Sequence, residues 1–165
     1  MDLKEIGWTP LESGEKIEVE SLARITCVHK SLCSAINEGG QINIHLSGRF
    51  HFDMCSGADK PATGDFIRIG PTFIDEQNSR AAVLEEILPR RSKISRVASG
   101  AATTEQVLVA NVDYAFIVTS ANEDFSINRL QRLILLAKEG NVTPVVLLSK
   151  VDLTEDPEAL ISEIR

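Results

Sequence analysis

Across residues 89–104 the hydrophobic period of this chain changes, and that change sets what it can fold into. Before it, short alternating runs are divided by turn residues. Ala23-Arg24-Ile25-Thr26-Cys27-Val28-His29 alternates as a strand does. Glu38-Gly39-Gly40 then turns the chain into Gln41-Ile42-Asn43-Ile44-His45-Leu46-Ser47, which puts Ile42, Ile44 and Leu46 on one face. Residues 53–64, with Gly57, Pro61 and Gly64, read as a loop, and Asp65–Ile69 and Ala81–Leu88 read as further strands. Several short strands within about eighty residues, separated by glycine-containing turns, predict a small closed or nearly closed β-barrel. The OB-fold is the first choice, although periodicity does not separate it from other small barrels. The acidic segment 1–21, with Leu3, Ile6, Trp8 and Leu11, predicts a short helix or turn packed on the barrel.

After the change the pattern belongs to a parallel sheet. Val112–Thr119 is a continuous apolar run of the buried-strand type. Ile127–Glu139 places Leu130, Leu133, Ile134 and Ala137 on one helical face, with Ser126 as N-cap and Gly140 as stop. Val142–Leu148 is the next strand, and Asp156 caps a last helix that has Pro157 at its first position. Strand, helix, strand and helix in close succession give a βαβ unit. The fold class is therefore β plus α/β, with an acidic segment 1–21, a barrel with a basic linker over 22–103, and a partial α/β domain over 104–165. Two parallel strands leave both sheet edges open, and Arg165 falls within a good helix, so further sequence is expected beyond it.

Composition narrows the class of function. The 165 residues are 43% hydrophobic, enough for a core, and carry a net charge of -7. That total argues against a wholly basic nucleic-acid binder. The charge is uneven: residues 1–22 carry -4, residues 23–103 carry +2, and residues 104–165 carry -5. Three cysteines (Cys27, Cys33 and Cys55) form no disulfide framework, and no apolar run approaches the ~20 residues of a membrane span. A soluble cytoplasmic protein is expected, without a membrane and as a monomer.

Two motifs carry chemistry. Val145-Val146-Leu147-Leu148 runs into Ser149-Lys150-Val151-Asp152, a strand ending in a polar loop where α/β sheets bind ligands. Guanine-binding proteins of the phosphate-loop class place Asn/Thr-Lys-x-Asp at such a point. The Asp carboxylate accepts from the base and the Lys stem packs along it. The usual upstream G-x-x-x-x-G-K-[ST] is missing from all residues before Ser149. The second motif is the basic group Arg90, Arg91, Lys93 and Arg96. It suits RNA phosphates, and equally a solvated linker paired with Glu85 and Glu86. Cys27, His29, Cys33, His45, His51 and Cys55 lack zinc spacing and read as buried thiols and strand histidines.

Taken together, the segments Leu88-Pro89-Arg90-Arg91-Ser92, Glu105-Gln106-Val107-Leu108-Val109-Ala110-Asn111-Val112-Asp113, Phe116–Ser120, Phe125–Leu130 and Ser149–Leu153 resemble the ribosome small-subunit-dependent GTPase A family over roughly residues 22–160. The resemblance implies an N-terminal OB-fold, a circularly permuted GTPase domain and a C-terminal zinc domain. It also implies binding of the small ribosomal subunit and its rRNA late in assembly, and hydrolysis of GTP with Mg²⁺. In the permuted order the guanine motif precedes the phosphate loop. The resemblance assigns guanine recognition to Lys150 and Asp152, with Ser149 where the family has Asn or Thr, and it makes Arg90, Arg91, Lys93 and Arg96 candidate RNA contacts. No catalytic or metal residue is expected in these 165 residues, and no GTP turnover from them alone. The alternative is a non-catalytic, stand-alone OB-type module that binds RNA or the ribosome.

Overall fold

A computed structural model describes residues 4–9, 17–29, 32–47, 59–97 and 105–164. The alternating runs form strands β1 (Leu22–Val28), β2 (Leu32–Asn37), β3 (Gly40–Leu46), β4 (Phe66–Ile69), β5 (Phe73–Ile74) and β6 (Arg80–Ile87). β1 pairs antiparallel with β2 and with β4, β2 with β3, and β4 with β6. β3 lies parallel to β6, Ile44 opposite Ala82, and so closes a five-stranded barrel of the expected OB kind, with β5 added outside on β6. Inward positions alternate large and small. Ile25, Ile42, Ile44, Ile67, Ile69 and Leu84 fill the lumen, and Ala23, Ala35 and Ala82 leave room for them. Each fully buried large side chain contributes roughly 1.5–3 kcal/mol. Ile42, Ile44 and Leu46 share the core face as predicted, Leu46 at its margin.

β2 is absent from the sequence reading because its inward residues are Cys33, Ala35 and Asn37, too small or too polar to mark a face. Asn37 is buried at no cost in unmet bonds: its Oδ1 accepts from the Gly39 amide (3.0 Å) and from Arg80 (3.1 Å). The N-terminal segment packs on the barrel as expected. Residues 4–7 turn, and Trp8 meets Phe66 edge-on with ring centroids 5.0 Å apart. Ile6 and Ile17 join it against Leu22, Phe66 and Leu88. Leu3 and Leu11 lie outside the described residues.

The stretch read as a linker is partly a strand. β7 (Lys93–Val97) pairs with β8 (Glu105–Ala110) in a separate two-stranded sheet. Beyond it, β9 (Tyr114–Ser120) and β10 (Thr143–Ser149) pair in parallel from Tyr114–Thr143 to Ser120–Ser149, with α1 (Ile127–Glu139) between them in sequence and packed on both. Ser126 caps α1, its hydroxyl accepting from the Arg129 amide, and Asp156 caps α2 (Pro157–Ile164) through the Ala159 amide. Gly140 follows α1 at a position where a Cβ would run into the Lys93 carbonyl oxygen. The buried-strand reading of β9 holds for one face only. Ile117 is covered, while Tyr114, Phe116 and Val118 on the alternate positions are exposed. Leu133 is likewise exposed, and the covered face of α1 centres on Leu130 and Ala137.

The chain divides into two compact units, residues 1–91 with 95–111, and residues 92–94 with 112–165. Among the described residues no helix is long and apolar enough to cross a membrane.

Candidate functional site

The guanine-type motif stands where the apolar period of β10 ends. Ser149 is the last residue of the strand, and its hydroxyl donates to the Thr119 carbonyl at 3.1 Å. The Ala121 amide returns a bond to the Ser149 carbonyl at 2.9 Å, so the carboxyl ends of β9 and β10 are tied in both directions. Ser120 donates to Asn122 Oδ1 (2.7 Å) and extends the tie into the loop that leads to α1. Lys150 then adopts left-handed backbone angles, φ 56° and ψ 37°. The other described non-glycine residues with positive φ are Asn78, Asn111 and Asn141, of the residue type that tolerates this region. Lysine adopts it less often, and non-glycine residues held in such regions cluster at functional sites. The turn at Lys150 starts a short 3₁₀ segment, Val151–Leu153, closed by the Leu153 amide on the Lys150 carbonyl at 3.0 Å. Lys150 and Asp152 are both exposed. The loop therefore offers a carboxylate with free acceptors and a lysine stem, beside a strand end that Ser149 holds fixed.

The four basic residues are not brought together for one task. Arg90 forms a two-pronged ion pair with Asp65, Nε to Oδ1 and Nη2 to Oδ2 at 2.7 Å each, and Nη2 also reaches the Lys60 carbonyl. Asp65 is fully buried and accepts from the Ala62 amide as well. The neighbouring Arg91 amide donates to Asn111 Oδ1 (3.0 Å), whose Nδ2 donates to the Gly64 carbonyl (3.1 Å). Gly64 itself sits at φ 91°, and a Cβ there would run into the Ala110 carbonyl oxygen. Lys93 is partly buried, and Arg96 is exposed on β7 with its Nε on Gln106. Glu85 and Glu86 are not the partners that the linker reading supposed. Glu86 pairs with Arg68 at 3.1 Å, and Arg90 pairs with Asp65.

Asp65, Ser92 and Asn111 are thus organising residues that carry no motif of their own. Ser92 donates to the Val112 carbonyl (2.6 Å) and accepts from the Val112 amide (2.9 Å). The segments around Arg90–Ser92 and Asn111–Val112 are each other's hydrogen-bonding partners, which accounts for their distinctive composition.

The cysteines separate. Cys33 is buried, and burial, with Asp65 and Cys27 as lesser causes, pushes its thiol up to about 11. Cys27 is exposed, which corrects the expectation of a buried thiol; an irregularity in β1 between Ile25 and Cys27 precedes its pairing opposite Ser34. His29 lies just beyond β1, and His51 and Cys55 fall outside the described residues. Among the described residues no three His, Cys, Asp or Glu side chains are placed to hold a metal.

The sequence profile of the RsgA GTPase family matches residues 87–165. A small ribosomal subunit biogenesis GTPase RsgA from Methanosarcina acetivorans is 34% identical over 142 residues, 86% of this chain and 36% of that protein. One from Opitutus terrae is 33% identical over 173 residues, all of this chain and 47% of that protein. The crystal structure of YjeQ from Thermotoga maritima superposes with a TM-score of 0.61 at 22% identity, over 87% of this chain and 46% of that one. YloQ, described as a circularly permuted GTPase, gives 0.58 at 21% identity over 86% and 44%. The chain spans less than half the length of these curated relatives.

Proposed function

We propose that this chain, which belongs to the RsgA GTPase family, supplies the subunit-facing barrel and the guanine-reading start of the nucleotide domain of a GTP hydrolase that acts in small ribosomal subunit maturation. The relatives are named for that process. The observation that carries the nucleotide half is the left-handed turn at Lys150 at the carboxyl end of β10. It sets Asp152 in the following turn, beyond the strand end, where its two oxygens accept from the ring N–H and exocyclic amine of guanine. Lys150 lays its stem along the base. Ser149, bonded to Thr119, holds the strand end from which the loop departs.

GTP or GDP, with Mg²⁺ at its phosphates, is the nucleotide of this reading, and any zinc is assigned to another part of the parent protein. We take residues 22–103 as the barrel with its basic arm and residues 104–165 as the opening of the nucleotide domain. The partners are the small subunit, through its rRNA, and guanine nucleotide, in a monomeric cytoplasmic protein. For RNA contact the candidates are Arg90, Arg91, Lys93 and Arg96, each of which has partners within the chain. Arg90 is occupied by Asp65.

Nucleosides test base recognition without any need for a phosphate loop. Titration of the chain with guanosine should shift the backbone amide resonances of Val151–Leu153, and adenosine should not. In Asp152→Asn the guanosine response should vanish and a xanthosine response appear, because the amide can donate to the C2 carbonyl of xanthine. Equal responses to guanosine and adenosine in the unaltered chain would remove the reading.

A further inference from the structure

β5 is two residues long, and both of its side chains stand outside the barrel: Phe73 is 42% exposed and Ile74 65%. On β3, across β6 from β5, the His45 ring lies 5.8 Å from that of Phe73, tilted by 42°, with 43% of its side chain exposed. Val83, the register partner of His45 on β6, is also exposed. These side chains add nothing to the lumen, which the inward residues already fill.

Their presentation is rigid. Asp75, directly after β5, accepts at Oδ1 from the amides of Gln77 (3.0 Å) and Ser79 (2.9 Å), and at Oδ2 from Asn43 (3.1 Å). The Ser79 amide first, then Asn43, hold its carboxyl below the ordinary value. Asn43 is two positions before His45, so the turn that follows Phe73 is pinned to the strand that carries His45. His45 Nε2 is buried without a hydrogen-bond partner, 3.8 Å from Asp75 Oδ2.

We propose that His45 and Phe73 form a stacking platform for an unpaired base of single-stranded RNA. The inference rests on the reading that the barrel faces small-subunit RNA. Stacking on exposed rings is sequence-tolerant, since every base offers a π-face. RNA duplexes keep their bases in the stack, so such a platform favours loops and single strands. OB barrels bind oligonucleotides on the face of their second and third strands, and His45 stands on the third. The platform also belongs to residues 23–103, the one block with net positive charge (+2, against -4 and -5 on either side). Val83, on the same face of the sheet, extends it with apolar surface for sugar and base edges, and pre-ordering by Asp75 lowers the entropic cost of binding.

Anisotropy titrations of the chain with a labelled single-stranded RNA of about 12 nucleotides, and with the same sequence as a duplex, decide the matter. The single strand should bind more tightly than the duplex. Phe73→Ala should weaken single-strand binding roughly tenfold or more and Phe73→Trp should restore it, with the salt slope unchanged because no phosphate contact is lost. Wild-type affinity in Phe73→Ala, or equal binding of duplex and single strand, overturns the platform. Loss of small-subunit binding in Phe73→Ala with the oligonucleotide unaffected also overturns it, and assigns the patch to a ribosomal protein. The double variant Lys93→Glu, Arg96→Glu separates the underlying reading. If it lowers affinity and salt slope while Phe73→Ala does neither, the platform falls and the RNA reading stands. If the unaltered chain binds no RNA, both fall.

Discussion

Arg90 and Arg96 look alike in the sequence, two arginines six positions apart in one basic run. What separates them is Asp65, twenty-five positions before Arg90 and fully buried. Charge clustering reads local composition, and a long-range partner leaves no local trace. Removing one member of a buried, hydrogen-bonded pair strands the other charge, at a cost of about 3–5 kcal/mol. Arg90→Ala should therefore lower the unfolding free energy of the barrel by that much, with a lower denaturant midpoint, whereas Arg96→Ala should stay within about 0.5 kcal/mol. Urea melts followed through Trp8, which packs on Phe66 of β4, report the difference. Equal, small losses in the two variants would show that the pair does not hold the barrel. Asn111 teaches the same lesson from the other side. Its motif was legible, but its work of bonding Arg91 and Gly64 appears only in three dimensions.

Elements were legible wherever burial follows sequence period. β1, β3, β4, β6 and α1 stand within a residue or two of their expected spans because each has a covered face, and β10 and α2 because their boundaries are marked by Ser149 and by Asp156-Pro157. β2 hid behind small and polar inward residues, and β7 hid in a basic run that composition assigns to a linker. β9 misled in another way. Its apolar run promised two covered faces, but α1 covers only one. That asymmetry has a measurable consequence. The barrel surrounds its core with five strands, while β9 and β10 are a two-stranded sheet, an arrangement that is marginal unless packed on another element. Backbone amides in Tyr114–Ser120 and Thr143–Ser149 should exchange with deuterium before those in Leu22–Val28 and Gly40–Leu46. Mass spectrometry of peptic fragments measures this order, and equal protection of the two sets would overturn it.

At the scale of the whole molecule the parts follow in order: a barrel, a basic run, then a βαβ unit whose second strand ends in Ser149–Asp152, with no G-x-x-x-x-G-K-[ST] before it. That order was visible because each part has its own period and because Ser149–Asp152 falls at a strand end. The bonds that knit the strand ends, Ser149 to Thr119 and Ala121 to Ser149, were not visible, since they join positions about thirty residues apart. The same order limits the chemistry. Phosphoryl transfer depends on a cradle for the β- and γ-phosphates, a Mg²⁺ site and an oriented water. The base-reading role proposed for Lys150 and Asp152 would supply none of these, and G-x-x-x-x-G-K-[ST] occurs nowhere in the 165 residues. If the proposed base-reading role holds, base affinity and turnover are therefore separable in these 165 residues. The purified 165-residue chain should release no phosphate from GTP above the uncatalysed rate, even where guanosine shifts the amides of Val151–Leu153. Phosphate release that rises with chain concentration and disappears in Asp152→Ala would place catalytic groups within these residues and overturn the separation.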